Sequence, residues 1–523
     1  MENRTSETHP SPAAAPTPAP APYREHRPRD PRKAQISAGL KAIAWAAPGL
    51  ARVGFIRKGL IRSMEKNLRR SSIRMAESKK RPARVIEDRL DMTLAIFKTL
   101  ERALASNSLS QASIRGVIRN LARNIILMKG EPGARAKFIE TYGCRPPEVL
   151  LISPTKLCNL NCKGCYADST AVNEKLDWPV LDRLVNEVRT LWGSRFVVFS
   201  GGEPLAYRDG GHDIMDLVEK YPDVFFMMYT NSTLIDDAMA RRMAGAGNVM
   251  PAISIEGLRE KTDARRGDGV FDRVTASMRR LRREKVLFGV SITASRDNVE
   301  EVLSDRVIDY YFNDMGAHFA WIFQYMPIGR AITLDSLPTP EQRLWMWRRS
   351  WQLIRDRKLY VSDFWNGGTA ALGCIAAGRS GGYMAVCWNG DVVPCVFMPY
   401  SPANINTAYA EGRTLCDVWN HPFLQKIRSW QTGYGYDRNY EDSKNTRNWM
   451  MPCPIRDHYE EFYPMLKQYQ PKPLDENAGA AMNDEEYRKG LIAYNKAVAG
   501  LLDPIWRKEY MNPDYKIPEG EDR

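Results

Sequence analysis

Three cysteines fall at i, i+4 and i+7 in the segment CNLNCKGCY, as Cys158, Cys162 and Cys165. Thiolates at that spacing on one loop can hold three corners of a four-iron cluster and leave the fourth iron free. A free iron can chelate the amine and carboxylate of a small molecule, which a saturated four-cysteine electron carrier cannot do. Gly164 relieves crowding in the turn. A zinc knot would want a fourth Cys or His close by, and Tyr166 to Ala171 offer none. A ferredoxin-like site is the other alternative.

A second motif, FSGGEPL, ends the next apolar run, with Gly201, Gly202, Glu203 and Pro204 in succession. Paired glycines let backbone approach a ligand closely, and Glu203 offers an anionic acceptor. Together, the CxxxCxxC spacing with Tyr166 directly after it and the Gly-Gly-Glu-Pro segment resemble the radical S-adenosylmethionine superfamily. The resemblance implies a three-cysteine [4Fe–4S] cluster with S-adenosylmethionine bound to it, Glu203 receiving the methionine ammonium. Thr230-Asn231 and Ser254-Ile255-Glu256-Gly257 match weaker family positions, which implies that Ser254 or Glu256 holds the ribose hydroxyls. Ser291 and Thr293 lie where the adenosyl portion should pass, although buried hydroxyls often only satisfy backbone. The implied chemistry is reductive cleavage to a 5′-deoxyadenosyl radical that abstracts hydrogen from a substrate. The cofactor carries that chemistry, so no catalytic residue is nominated, His212 and His318 included. An electron donor such as flavodoxin or ferredoxin is implied as partner.

Five further cysteines, Cys374, Cys387, Cys395, Cys416 and Cys453, lie beyond these motifs. The segment CIAAGRSGGYMAVCWNGDVVPC resembles the carboxy-terminal SPASM or twitch extension of maturase-type relatives, though later cysteine pairs of the complete pattern are missing. Five thiols can fill one four-iron cluster and not two. One auxiliary cluster is therefore expected, on Cys374, Cys387, Cys395 and Cys453. Cys416 is expected as a packed thiol, with exchange of roles with Cys387 left open, and Cys144 as structural. Four cysteines around a hairpin could also bind zinc.

The elements that must position these groups read as alternating strands and helices from Glu148 to Gly329. The strand candidates are Val149–Ser153, Arg195–Ser200, Val224–Tyr229, Val249–Ile255, Leu287–Thr293 and His318–Phe323. The expected fold class is α/β: a partial (β/α)6 TIM-like barrel with functional groups at the strand C-termini, a helical N-terminal extension and a small Cys-rich C-terminal α+β extension. The expected divisions are a disordered Pro/Ala-rich leader over 1–36, a basic helical extension over 37–146 and the barrel over 147–331. A helical linker over 332–366, the auxiliary-cluster region over 367–470 and a polar helical tail over 471–523 complete it. Trp345, Trp347 and Trp351 at helical spacing read as core.

Charge is local. Between Arg52 and Arg84, twelve Lys or Arg stand against only Glu65 and Glu77, accounting for most of the net +13. The apolar stretch from Gly39 to Ile61 is interrupted well short of the ~20 residues a spanning helix needs, and no export signal is read. Clustered thiols suggest a reducing, cytoplasmic setting, while the basic segment suits peripheral contact with an anionic membrane on its inner face or a solvated helix packed on the barrel. Few aromatics accompany it, which disfavours nucleic acid. By resemblance the expected substrate is a peptide or protein, with a membrane lipid or isoprenoid as alternative. A non-enzymatic iron–sulfur electron carrier would leave Gly201–Pro204 unexplained.

Overall fold

The computed structural model describes residues 54–78, 80–119, 132–436 and 446–518. The leader expected over 1–36 and the apolar stretch as far as residue 53 lie outside them. Two long helices open the described chain, α1 (Gly54–Glu77) and α2 (Ala83–Ala105). Val85, Ile86, Leu90, Leu94 and Phe97 form the buried stripe of α2 that their spacing predicts. The extension is docked on the body: Val85 and Ala95 share a core with Trp347, Trp351, Trp449 and Trp506, and Arg355 pairs with Asp88 and Asp91 of α2. Among the described residues no helix is long and apolar enough to cross a membrane.

All six expected strands form: β1 (Val149–Ile152), β2 (Phe196–Phe199), β3 (Phe225–Thr230), β4 (Val249–Ile255), β5 (Gly289–Ala294) and β6 (Phe319–Gln324). Each pairs in parallel with the next. Between them run α3 (Trp178–Thr190), α4 (Ile214–Lys220), α5 (Asp237–Ala246) and α6 (Val270–Arg283). In α3 the apolar spacing buries Leu181, Leu184, Val185 and Val188 completely, worth about 1.5–3 kcal/mol each. Asp213 and Asp216 close a capping box at the start of α4, and Gly247 ends α5 at φ +69°. The strands are buried on both faces, which explains runs such as FFMM in β3 with no alternation.

The sheet does not stop at six strands. After α7 (Pro340–Arg355), β7 (Tyr360–Asp363) adds in parallel to β6, at the end of the segment read as a helical linker. The Cys-rich region supplies β8 (Tyr383–Val386), β9 (Asp391–Val393) and β10 (Ala403–Asn404). Strand β8 pairs in parallel with β1, and β9 and β10 follow antiparallel, giving the order β10-β9-β8-β1-β2-β3-β4-β5-β6-β7. The extension therefore prolongs the barrel wall, and β7 and β10 leave that wall open. The tail helix α8 (Glu485–Ile505) buries Tyr487, Leu491, Val498 and Leu502.

Candidate functional site: two cysteine-lined cavities

The loop leaving β1 carries Cys158, Cys162 and Cys165 and is held from several sides. Cys158 N–H donates to Thr170 O at 2.9 Å, and Lys163 N–H to Arg265 O at 2.9 Å. Arg330, just beyond β6, donates to Cys162 O at 2.6 Å, to Ser169 O and to the Asp168 carboxylate at 3.1 Å. Gly164 has φ +62°, and Gly329 is so close that a Cβ there would stand 2.3 Å from Tyr166 O.

Facing this loop, the Gly-Gly-Glu-Pro turn leaves β2. A Cβ on Gly201 would meet the Ser153 Cβ at 2.6 Å, and one on Gly202 would meet Leu157 O at 2.2 Å. The close approach that requires both glycines is thus to the chain's own cysteine loop. Glu203 is 1% exposed. Its Oε1 accepts from Thr230 Oγ1 at 2.6 Å and Leu205 N–H at 3.1 Å, while Oε2 accepts from Asn231 N–H at 2.7 Å. The carboxylate staples β2 to β3, although burial pushes its pKa up. The Asn231 amide lies 3.7 Å from Cys158 Sγ. Burial pushes the Cys158 thiol up to about 12, and the neighbouring Glu203, Cys162 and Cys165 oppose its ionisation further. A metal cluster bound at the loop would favour the thiolate form.

Tyr166 joins three parts of the molecule. Its hydroxyl is 2.6 Å from Ser200 Oγ and accepts from Gly201 N–H at 3.2 Å, and its ring packs on Phe397 of the Cys-rich region. Ser254 and Ser291 are register partners on β4 and β5, and with Thr293 they line the same cavity. Glu256, expected with Ser254 at the ribose, is 1% exposed; Arg265 and Arg266 hold its Oε1 at 2.5 Å each, and its buried Oε2 has no partner among the described residues.

Those two arginines do line the cavity. Arg266 Nη1 is 4.0 Å from Cys162 Sγ, and its buried Nε has no partner. A buried, unpaired guanidinium N–H beside the cysteine loop suits a ligand carboxylate. From the sequence, the Asp263…Arg266-Gly267 stretch resembles family relatives with no role assigned to it, while Arg265 and Arg330 carry no motif signal.

The cavity has a volume of about 260 Å³. The three cysteines, Gly201, Gly202, Glu203, Thr230, Asn231 and the two arginines form one end. Tyr229, Trp321, Phe323, Phe364 and Phe397 form an aromatic wall, with ring centroids of successive pairs 5.4 to 6.3 Å apart. On this wall Trp321 Nε1 and Gln324 Oε1 are buried without partners.

A second cavity of about 100 Å³ is lined by Cys374, Cys395 and Cys453. Trp321, Phe364, Ile375 and Phe397 line both cavities and so separate them. The Tyr383 hydroxyl is 2.8 Å from Cys395 Sγ, and Phe397 N–H donates to that sulfur at 3.4 Å. Burial raises all three thiols, Cys395 to about 12. Cys387, expected as the fourth ligand, is not in this set. It follows β8, where β1 pairing carries it to the side of Tyr166, away from the other three. Cys416 is packed among Tyr142, Trp192 and Glu187, as expected of a structural thiol. Among the described residues no three His, Cys, Asp or Glu side chains form a group fit for a single metal ion.

Comparison with known proteins agrees with these two centres. Residues 152–304 match the model of the radical SAM superfamily, and residues 374–447 match SPASM, an iron–sulfur cluster-binding domain. An Fe-coproporphyrin III synthase of Methanosarcina barkeri is 29% identical over 29% of this chain and 39% of its own length, so the match spans well under half of that relative. An AdoMet-dependent heme synthase of the same organism is 25% identical over 54% of this chain and 85% of its own. Among solved structures, Streptococcus suis SuiB bound to precursor peptide SuiA is 16% identical over 61% of this chain and 83% of that one, with a TM-score of 0.46. Four-iron clusters, and S-adenosylmethionine at the first of them, are the cofactors of the two matched domains. The chain thus carries a radical SAM superfamily domain over residues 152–304 and a SPASM iron–sulfur cluster-binding domain over residues 374–447.

Proposed function

We propose that this enzyme abstracts hydrogen from an apolar, ring-bearing substrate, a tetrapyrrole by preference, lying along the aromatic wall of the larger cavity. The observation that carries the reading is that one cavity joins the three-cysteine loop to that wall. S-adenosylmethionine on a reduced three-cysteine cluster supplies a 5′-deoxyadenosyl radical. Cys158, Cys162 and Cys165 would hold the cluster, with Asn231 and Arg266 beside two of its sulfurs. Arg266, held by Glu256, would receive the methionine carboxylate, while Ser254, Ser291 and Thr293 would line the nucleoside path. Tyr229, Trp321, Phe323, Phe364 and Phe397 exclude water and offer stacking faces.

Relatives named as heme and Fe-coproporphyrin synthases support the tetrapyrrole class; a peptide side chain is the competing substrate. The test is 5′-deoxyadenosine formation after anaerobic reconstitution and reduction, in wild type and Cys162→Ala, with Fe-coproporphyrin III or an aromatic-rich peptide added. Nucleoside from the wild type alone is expected, stimulated at least several-fold by the porphyrin. Stimulation by the peptide alone would move the substrate assignment. No nucleoside from a fully loaded wild type under any condition would defeat the proposal.

A second reading concerns where the enzyme works. On α1, Lys58, Arg62, Lys66, Arg70 and Arg74 recur every four residues as exposed side chains, none paired with a carboxylate among the described residues. Such a ladder suits an anionic bilayer, at about 1 kcal/mol per charge. Co-sedimentation with phosphatidylserine vesicles at low salt, lost at high salt and on phosphatidylcholine, is the expected result. Equal recovery on both lipids would reject it.

A further inference from the structure

The smaller cavity holds three thiols, and among the described residues no fourth thiol lines it. Cys374 follows the turn at Gly368–Ala371, Cys395 follows β9, and Cys453 caps the short helix Pro454–Asp457. Three separate segments thus deliver one sulfur each. Cys387 is held at the end of β8, where Ser153 N–H donates to Val386 O at 2.8 Å and Cys387 N–H to Asp391 O at 2.8 Å. Parallel pairing of β8 with β1 fixes that position, so Cys387 cannot reach the set without breaking the sheet. Cys416 is buried in another part of the molecule, against α3.

Among the described residues, the carboxylates beside the three thiols are already engaged. Asp363 accepts from Gln324 Nε2, from the Trp365 and Asn366 N–H groups and from Asn366 Nδ2. Asp457 is locked to Arg343 in a fully buried ion pair and accepts from Cys453 N–H. Freeing either one would expose a buried charge or leave several donors unpaired. The cavity is bounded instead by Trp321, Phe364 and Phe397, the wall it shares with the larger cavity.

We infer that the auxiliary cluster is held by the thiolates of Cys374, Cys395 and Cys453 alone. Its fourth iron takes an exchangeable, non-protein donor. Cys387 is a structural thiol behind Tyr166. This rests on the SPASM assignment and not on the chemistry proposed for the first cluster.

The test uses the full chain with Cys158, Cys162 and Cys165 all replaced by Ala, so that only the auxiliary cluster assembles. Iron content and the reduced paramagnetic spectrum are compared with a further Cys387→Ala or Cys374→Ala change. About four irons per chain should persist in the first case and fall at least several-fold in the second. Carbon-13 cyanide added to the reduced protein with Cys387 intact should give a carbon hyperfine coupling. This second measurement does not depend on how a Cys387 variant folds. Loss of the cluster in Cys387→Ala, or no coupling to cyanide, would overturn the inference, whatever the first cluster does.

Discussion

Glu256 and Arg266 form a buried ion pair, Oε1 to Nη2 at 2.5 Å, in which one carboxylate oxygen also receives Arg265. The pair sits beneath the cysteine loop and aims the second guanidinium edge at Cys162. Glu256 therefore holds Arg266 in place through one of its two oxygens. Buried guanidinium groups keep their place only while a counter-charge holds them.

Glu256→Gln should leave two guanidiniums without that charge. Unfolding stability should fall by about 3 kcal/mol, read by urea titration of the reconstituted protein. Arg266→Met should leave iron content unchanged but weaken S-adenosylmethionine at least tenfold by calorimetry. Unaltered affinity would remove Arg266 from the carboxylate site.

Gly202→Ala places a methyl group 2.2 Å from Leu157 O, and backbone cannot yield as a flexible side chain would. The cysteine loop must move. Overpacking of this kind costs about 1–3 kcal/mol or more, and cluster loading should fall with it. Gly245→Ala, where nothing lies within 4 Å, is the control expected to be neutral.

His318 reports how the helical extension docks on the base of the barrel. Its Nε2 is 2.9 Å from Ser108 Oγ and its Nδ1 3.1 Å from Phe288 O, and burial lowers its pKa to about 4. In the unfolded chain the same group titrates near 6.5, so between these values the unfolded state binds more protons. Stability supplied by the neutral ring is complete above pH 6.5 and is lost as pH falls toward 4, by about 3 kcal/mol. Urea titrations at pH 7 and pH 5 should show this slope in wild type and a shallower one in His318→Gln. Equal slopes would reject the assignment.

Tyr383→Phe removes the hydroxyl 2.8 Å from Cys395 Sγ while keeping the ring. Hydrogen bonds to cluster sulfurs raise reduction potential, so the auxiliary cluster should become harder to reduce. A potentiometric titration followed by paramagnetic resonance checks the sign. An unchanged potential would mean that the hydroxyl does not address the bound sulfur.

What the sequence determined by itself was local. Cysteine spacing, the Gly-Gly-Glu-Pro turn and the apolar period each act within a few residues, so the first centre and strands β1 to β6 were legible. Trp347 and Trp351 proved to be core because helical spacing fixes a buried face, whereas Trp345, expected with them, points to the other face and is 37% exposed. What only the tertiary structure decided was pairing across long separations. Strand β8 lies more than 200 residues from β1 in the chain, yet hydrogen-bonds to it, and that single pairing separates Cys387 from Cys374, Cys395 and Cys453. Likewise Glu256 was legible as an acid at a strand end. That one of its oxygens is held by two arginines depends on how a helix packs back on the cysteine loop, and no spacing along the chain encodes such a contact.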